Sequence, residues 1–198
     1  MTTRDHDPDE HEHRHAHDWQ SALRALREAA SHYYRHQFNW HGDGPPPDWT
    51  GPRYFPPADD WRLQARLDRD FAGTGDTVEL ATSTGQVRAM VVAGQLVFDV
   101  DGAERRLAAY LTHDAGGDEI LFVPFRDLTS GSETYGSGRY VEVPYWSDEE
   151  TFDLDFNFAY NPSCAYSPSY DCPFPPAGNR LPVAVRAGEK VPFEKGTT

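Results

Sequence analysis

LVFDVDGAERRLAAYL, residues Leu96–Leu111, is the stretch whose reading decides the fold. Leu96, Phe98 and Val100 alternate with polar or smaller neighbours, the period of a half-buried strand. Asp101-Gly102 then supplies two residues that tolerate positive φ, the usual chemistry of a tight hairpin. Beyond it Leu107, Ala109 and Leu111 resume the same period. Working outward, Trp61, Leu63, Ala65 and Leu67 alternate with Arg62, Gln64 and Arg66. Val78 and Leu80 predict a further short strand, and Val87, Ala89 and Val91 another, separate from that at Leu96–Val100. Downstream, Ile120–Phe125 is apolar on both faces and reads as a central strand, followed by Tyr140–Val143 and Phe152–Phe158. Strand–helix–strand alternation and internal repeats are both lacking. The expected fold is mainly β: an antiparallel sandwich or partly open barrel with one N-terminal α-helix and a long irregular C-terminal wrap.

That helix is read from Trp19, Leu23, Leu26, Ala30 and Tyr33, spaced three or four apart, with Asp18 in position to cap it and the pattern fading near His36. Residues 1–17 are polar and His-rich without apolar periodicity, which predicts a disordered arm before a single domain over residues 18–198. Between helix and first strand, GPPPDWTGPRYFPP places six prolines around Trp49, Tyr54 and Phe55. Three large aromatics favour an ordered wrap over a stiff linker.

The chain has 198 residues and a formal net charge of −14, with 38% hydrophobic and 13% aromatic residues. So acidic a chain is a poor partner for nucleic acid or an anionic membrane surface. No apolar run reaches the ~18–20 residues of a membrane helix, and the N-terminus carries no hydrophobic signal segment. The expected address is the cytoplasm. Nothing in the sequence specifies a cofactor or an oligomeric state.

Polar, aromatic and turn-forming residues crowd two segments, FRDLTSGSETYGSGRY (Phe125–Tyr140) and DLDFNFAYNPSCAYSPSYDCPFPPAGNRLPVAVRAGEK (Asp153–Lys190). Connecting loops need few such side chains, so a built site or a cross-bonded lid is expected here. On the last strand Asp153, Asp155 and Asn157 share one face, about 7 Å apart. Asp153 reads as solvated, while Asp155 and Asn157 lead into Tyr160 and Asn161 and read as a site floor. In the hairpin, Asp127, Thr129, Ser130, Glu133, Tyr135 and Arg139 are candidates to line a ligand. The alternative is a wide β-hairpin in which Asp127 and Thr129 bond their own loop. The glycine spacing matches neither a P-loop nor a dinucleotide fingerprint.

The only cysteines, Cys164 and Cys172, have neither C-x-x-C spacing nor enough company for a structural zinc site. Reduced, packed thiols are the reading that a cytoplasmic protein favours. A loop-stapling disulfide and a redox or nucleophilic role are the alternatives, and no histidine nearby is expected to activate either sulfur. His11, His13, His15 and His17 share one face of an extended chain and His32 and His36 one face of the helix, both able to chelate metals. A solvated arm and an exposed helix face account for them more simply, and no metal site is assigned.

Across the same motifs the chain resembles the DUF1684 family, bacterial and archaeal proteins of unknown function. The resemblance is carried by LFVPFRDLTSGSETYGSGRY (Leu121–Tyr140), LDFNFAYNPSCAYSPSYDCPFPPAGNRLP (Leu154–Pro182) and AGEK (Ala187–Lys190), and more weakly by GPRYFPPADDWRLQARL (Gly51–Leu67). The His-rich arm lies outside it. The resemblance implies neither catalytic residues nor a cofactor.

Three functions therefore stand side by side. One is an enzyme for a small polar or anionic substrate. In it Asp155 or Glu133 is the general acid/base, Arg139 orients the substrate, and Tyr135 or Tyr160 donates a hydrogen bond. The second is a non-catalytic module using the same pocket. The third is a structural or interaction protein. A buried acid with a perturbed pKa beside an open cavity separates the first from the others.

Overall fold

The structure, a computed structural model, describes residues 8–42 and 44–193, with residues 8–17 described by their backbone alone. After helix α1 (Pro8–His36) come β1 (Arg62–Asp68), β2 (Thr77–Ala81), β3 (Val87–Val100), β4 (Ala103–His113), β5 (Glu119–Phe125), β6 (Arg139–Pro144) and β7 (Thr151–Asp155). The expected arm, with His11, His13, His15 and His17, falls on residues that are undescribed or described only as helical backbone.

Every pairing between strands is antiparallel, in the order β6-β5-β4-β3-β1-β7, with β2 joined to β3. The sheet curls until it is nearly a barrel. Asp101 (φ 55) and Gly102 (φ 71) make the hairpin between β3 and β4, as their sequence requires. The two short strands expected at Val87–Val91 and Leu96–Val100 are one strand, β3, bent at a bulge between Val92 and Gly94. The bend lets one strand serve two partners, β2 on its first half and β1 on its second. Gly94 (φ +145) is required there because a Cβ would stand 2.6 Å from the Asp68 carbonyl oxygen.

Leu96, Leu107, Leu121, Val123, Phe125, Leu154 and Phe156 fill the interior. A second cluster, Leu80, Val92, Tyr110, Phe122 and Tyr140, covers the outer face of β4 and β5. These two clusters explain why Ile120–Phe125 is apolar on both faces. The C-terminal wrap is tied to the sheet by side chains rather than by ladders. Buried Asn179 donates from Nδ2 to the carbonyls of Ala108 and Pro124, both at 2.8 Å, and accepts from the Ala108 amide at 2.8 Å.

The last strand is shorter than the alternation implies. It stops at Asp155, whose carboxylate accepts from the Asn157 amide at 2.8 Å and closes a 3-10 turn over Phe156–Phe158. The competing principle is local: an Asp side chain offers the backbone an alternative to the ladder. Asn157 therefore does not continue the strand face of Asp153 and Asp155.

The Pro-rich segment is an ordered wrap, as its aromatics required. Trp49 joins Tyr34, Phe38, Trp40, Tyr166, Tyr170 and Phe193 in an aromatic cluster, with Tyr34 and Tyr166 centred 4.1 Å apart. This cluster pins the end of α1 to the wrap. Along the rest of α1 the apolar stripe splits. Leu23 is buried, whereas Leu26 and Tyr33 are 46% and 44% exposed.

Candidate functional site

The site grows from the turn Ala187–Lys190. Gly188 (φ +74) passes so close under the 3-10 turn that a Cβ would lie 2.5 Å from the Ala159 carbonyl oxygen and 2.7 Å from that of Phe156. Only glycine fits, and it delivers the next residue, Glu189, beneath that turn. The Glu189 amide donates to Ala159 at 2.8 Å, and the Lys190 amide to Arg53 at 2.8 Å. The Glu189 carboxyl accepts from the Asn161 amide (2.8 Å) and the Tyr166 hydroxyl (2.9 Å), both on Oε2, and from the Tyr54 hydroxyl on Oε1 (3.3 Å). Burial pushes its pKa up from 4.5 to about 7, although these donors and Arg139 pull the other way.

Glu189 lies at the floor of a cleft of about 1120 Å³ between α1 and the seam where β6 and β7 fail to pair. One wall is α1, with Trp19, Leu26, Ala30 and Tyr33; the other is made by Leu63, Val143, Pro144 and Phe152. Trp146, 54% exposed, stands at the rim. The exposed half of the helix stripe is thus cleft wall. The carboxylates of Asp59, Glu142, Glu149, Asp153 and Asp155 also face this space, against a single cation, Arg62, among the described lining residues. Arg62 is already engaged, over the Trp19 ring at 4.3 Å and 3.6 Å from Asp59.

Of the residues proposed from sequence, Asp155, Asn157 and Tyr160 line the cleft. Asp155 is largely satisfied: Oδ1 accepts from the Asn157 amide and side chain, and Oδ2 from the Trp19 indole at 2.7 Å. Asn157 also bonds both backbone groups of Ala58 at 2.8 Å, and the Tyr160 hydroxyl donates to Glu142. Asn161 lies behind the cleft, with its amide on Glu189 and its Nδ2 on the Lys190 carbonyl at 2.8 Å.

The hairpin does not reach the cleft. Arg139, expected to orient a substrate, is 1% exposed. It donates to Asp127 at 2.8 Å and to the carbonyls of Val185, Ala187 and Glu189. Asp127 also accepts from the amide and hydroxyl of Thr129, and the Ser130 hydroxyl accepts from the Asp127 amide at 3.1 Å. These are the local loop bonds of the wide-hairpin alternative. Glu133 pairs with Arg186 at 2.9 Å on the surface, and Tyr135 stands 4.0 Å from the Cys164 sulfur. The two dense segments do converge, but on the peptide around Glu189 rather than around one open pocket. His32 and His36 have ring centroids 4.7 Å apart. Among the described residues no group of three or more His, Cys, Asp or Glu is placed to hold a metal ion.

Sequence reasoning missed Glu189, Tyr54, Tyr166 and Trp19. The available signal was a lone carboxylate directly after a glycine in LPVAVRAGEK, where Arg186 and Lys190 are the other charged residues.

A nearly closed antiparallel sheet with a helix over its seam and a cross-bonded C-terminal wrap defines the class: a β-rich domain with a cleft between helix and sheet. The chain belongs to the family described as "Protein of unknown function (DUF1684)", whose model matches residues 48–190. It is similar to the solution NMR structure of an uncharacterized protein of Haloarcula marismortui, at 35% identity and a TM-score of 0.67, over 91% of this chain and 98% of that one. No curated protein matches it. Among the described residues no helix is long and apolar enough to cross a membrane.

Proposed function

We propose that the cleft between α1 and the β6–β7 seam is a small-molecule site and that Glu189 is its proton-exchanging group. The observation that carries this reading is one buried carboxyl at the floor of an open cleft, with a pKa raised to about 7. Among the described residues Oε1 is held only by the 3.3 Å bond from Tyr54, so it has capacity left for a ligand proton. Asp155, with both oxygens occupied, positions Trp19 and the 3-10 turn rather than exchanging protons. The rim carboxylates disfavour an anionic ligand, one of the two classes (polar or anionic) expected from sequence, and favour a neutral or positively charged head on an apolar body.

A second reading treats Glu189 as a structural tie, favoured by the three donors already on it. Binding separates the two. Octylamine and octanol are expected to shift the indole N–H signals of Trp19 and Trp146, with octanoate at least about tenfold weaker. Ala30→Trp, which fills the cleft from the helix side, should abolish the shifts. If all three probes leave the indoles unmoved, or move them equally in Ala30→Trp, the cleft is not a ligand site and the structural reading holds.

A further inference from the structure

The segment NPSCAYSPSYDCPFPP brings its two sulfurs together by local turns. Pro162 opens a 3-10 turn over Ser163–Ala165, and a second turn, with the Tyr170 amide on the Ser167 carbonyl at 3.2 Å, reverses the chain. The Cys164 amide then donates to the Cys172 sulfur at 3.3 Å, and the two thiols are hydrogen-bonded to each other. The loop is docked on the turn between β2 and β3: the Ser83 amide donates to the Cys172 carbonyl at 2.9 Å, and the Cys172 amide to the Ser83 hydroxyl at 3.1 Å. That hydroxyl, now donating to the Tyr170 carbonyl at 2.9 Å, is also in reach of the Cys164 thiol. The Tyr135 hydroxyl stands on the same sulfur at 4.0 Å.

We propose that Cys164 and Cys172 form a hydroperoxide-reactive dithiol, in which Cys164 attacks and Cys172 resolves the product into a disulfide. The Cys164 sulfur faces the Tyr135 hydroxyl and is assigned the attack; the Cys172 sulfur, held by the Cys164 amide, is the second nucleophile. Donation from the Cys172 thiol holds the Cys164 pKa below that of an ordinary thiol, against the effect of burial. Cys164 and Cys172 are 9% and 7% exposed, too closed for a bulky disulfide, so the oxidant proposed is a small peroxide.

The chemistry balances with a hydroperoxide as oxidant. The Cys164 thiolate attacks one peroxide oxygen, the O–O bond breaks, and the leaving oxygen takes a proton and departs as water or an alcohol. Cys164 is then a sulfenic acid. The Cys172 sulfur attacks it, an S–S bond forms, the S–O bond breaks, and the hydroxyl leaves with the Cys172 proton as water. Two thiols are oxidised by two electrons and one peroxide is reduced.

The test uses the full chain and hydrogen peroxide itself. Reduced protein is treated, quenched with catalase, unfolded and alkylated with iodoacetamide. The expected mass is lower by two hydrogens with neither cysteine alkylated, and dithiothreitol should restore two alkylation sites. In Cys172→Ser, dimedone should capture a sulfenic acid at Cys164. In Cys164→Ser, Cys172 should oxidise about tenfold more slowly than Cys164 does in the other variant. The wild-type experiment stands even if a variant fails to fold. Two free thiols in the wild-type chain after peroxide that oxidises free cysteine would overturn the proposal. So would a Cys172 that reacts as fast without Cys164.

Discussion

Arg139→Leu is expected to destabilise the fold by about 3–5 kcal/mol, the cost of leaving a buried charge without its partner. Asp127 would be stranded in the interior, with only the Thr129 amide and hydroxyl to solvate its charge. The carbonyls of Val185, Ala187 and Glu189 would lose their guanidinium donor in the same step. Urea unfolding reads this directly as a lower midpoint at unchanged slope. Arg186→Leu, which breaks the surface pair with Glu133, should leave the midpoint nearly where it is. Removing both buried charges, Asp127→Leu with Arg139→Met, should recover part of the loss. An Arg139→Leu midpoint equal to that of the wild type would mean that this network does not hold the wrap to β6.

The second large effect belongs to Glu189 and is one of pH. Its carboxyl has a pKa of about 7 in the folded chain against an ordinary 4.5. A carboxyl raised by folding binds its proton more tightly in the native state, so its stabilising contribution is full below about 4.5 and is lost as pH rises toward 7. The difference corresponds to ~3 kcal/mol. The quantity that isolates this carboxyl is wild type minus Glu189→Gln. That difference in unfolding free energy should fall by ~3 kcal/mol from pH 4.5 to above pH 7 and then level off. A difference that stays flat across the window would show that Glu189 is ionised throughout, and would remove the proton-exchanging role. The same ionisation would put a full charge at the cleft floor above pH 7, so ligands with a positive head should gain affinity there.

The two variants divide residues that looked alike in the sequence. Arg139 has the composition of a substrate clamp and is a buried brace. Glu189 has the appearance of an incidental acid between Arg186 and Lys190 and is the buried carboxyl at the cleft floor. The strands were legible because alternation and the Asp101-Gly102 turn are written in neighbouring residues, whose pleat and φ preferences act locally. Two strand boundaries were not. The bulge in β3 depends on which partners the two halves of the strand find, and the 3-10 turn after Asp155 depends on a carboxylate outbidding a ladder.

The helix illustrates the same limit. Its three- and four-residue spacing identifies an apolar stripe, but not that Leu23 faces the core while Leu26 and Tyr33 face a cleft. That depends on how far the helix stands from a sheet whose two edge strands do not meet.

What the sequence determined by itself is therefore the mainly β class, the single N-terminal helix, the packed Pro-rich wrap, and the crowding of polar side chains after Phe125. Only the tertiary structure decided which side chains meet at the cleft and which are buried braces. Tyr54 meets Glu189 across 135 residues and Trp19 meets Asp155 across 136. A pKa or a hydrogen-bond partner is set by what burial brings within about 3 Å, and no local pattern along the chain records that distance.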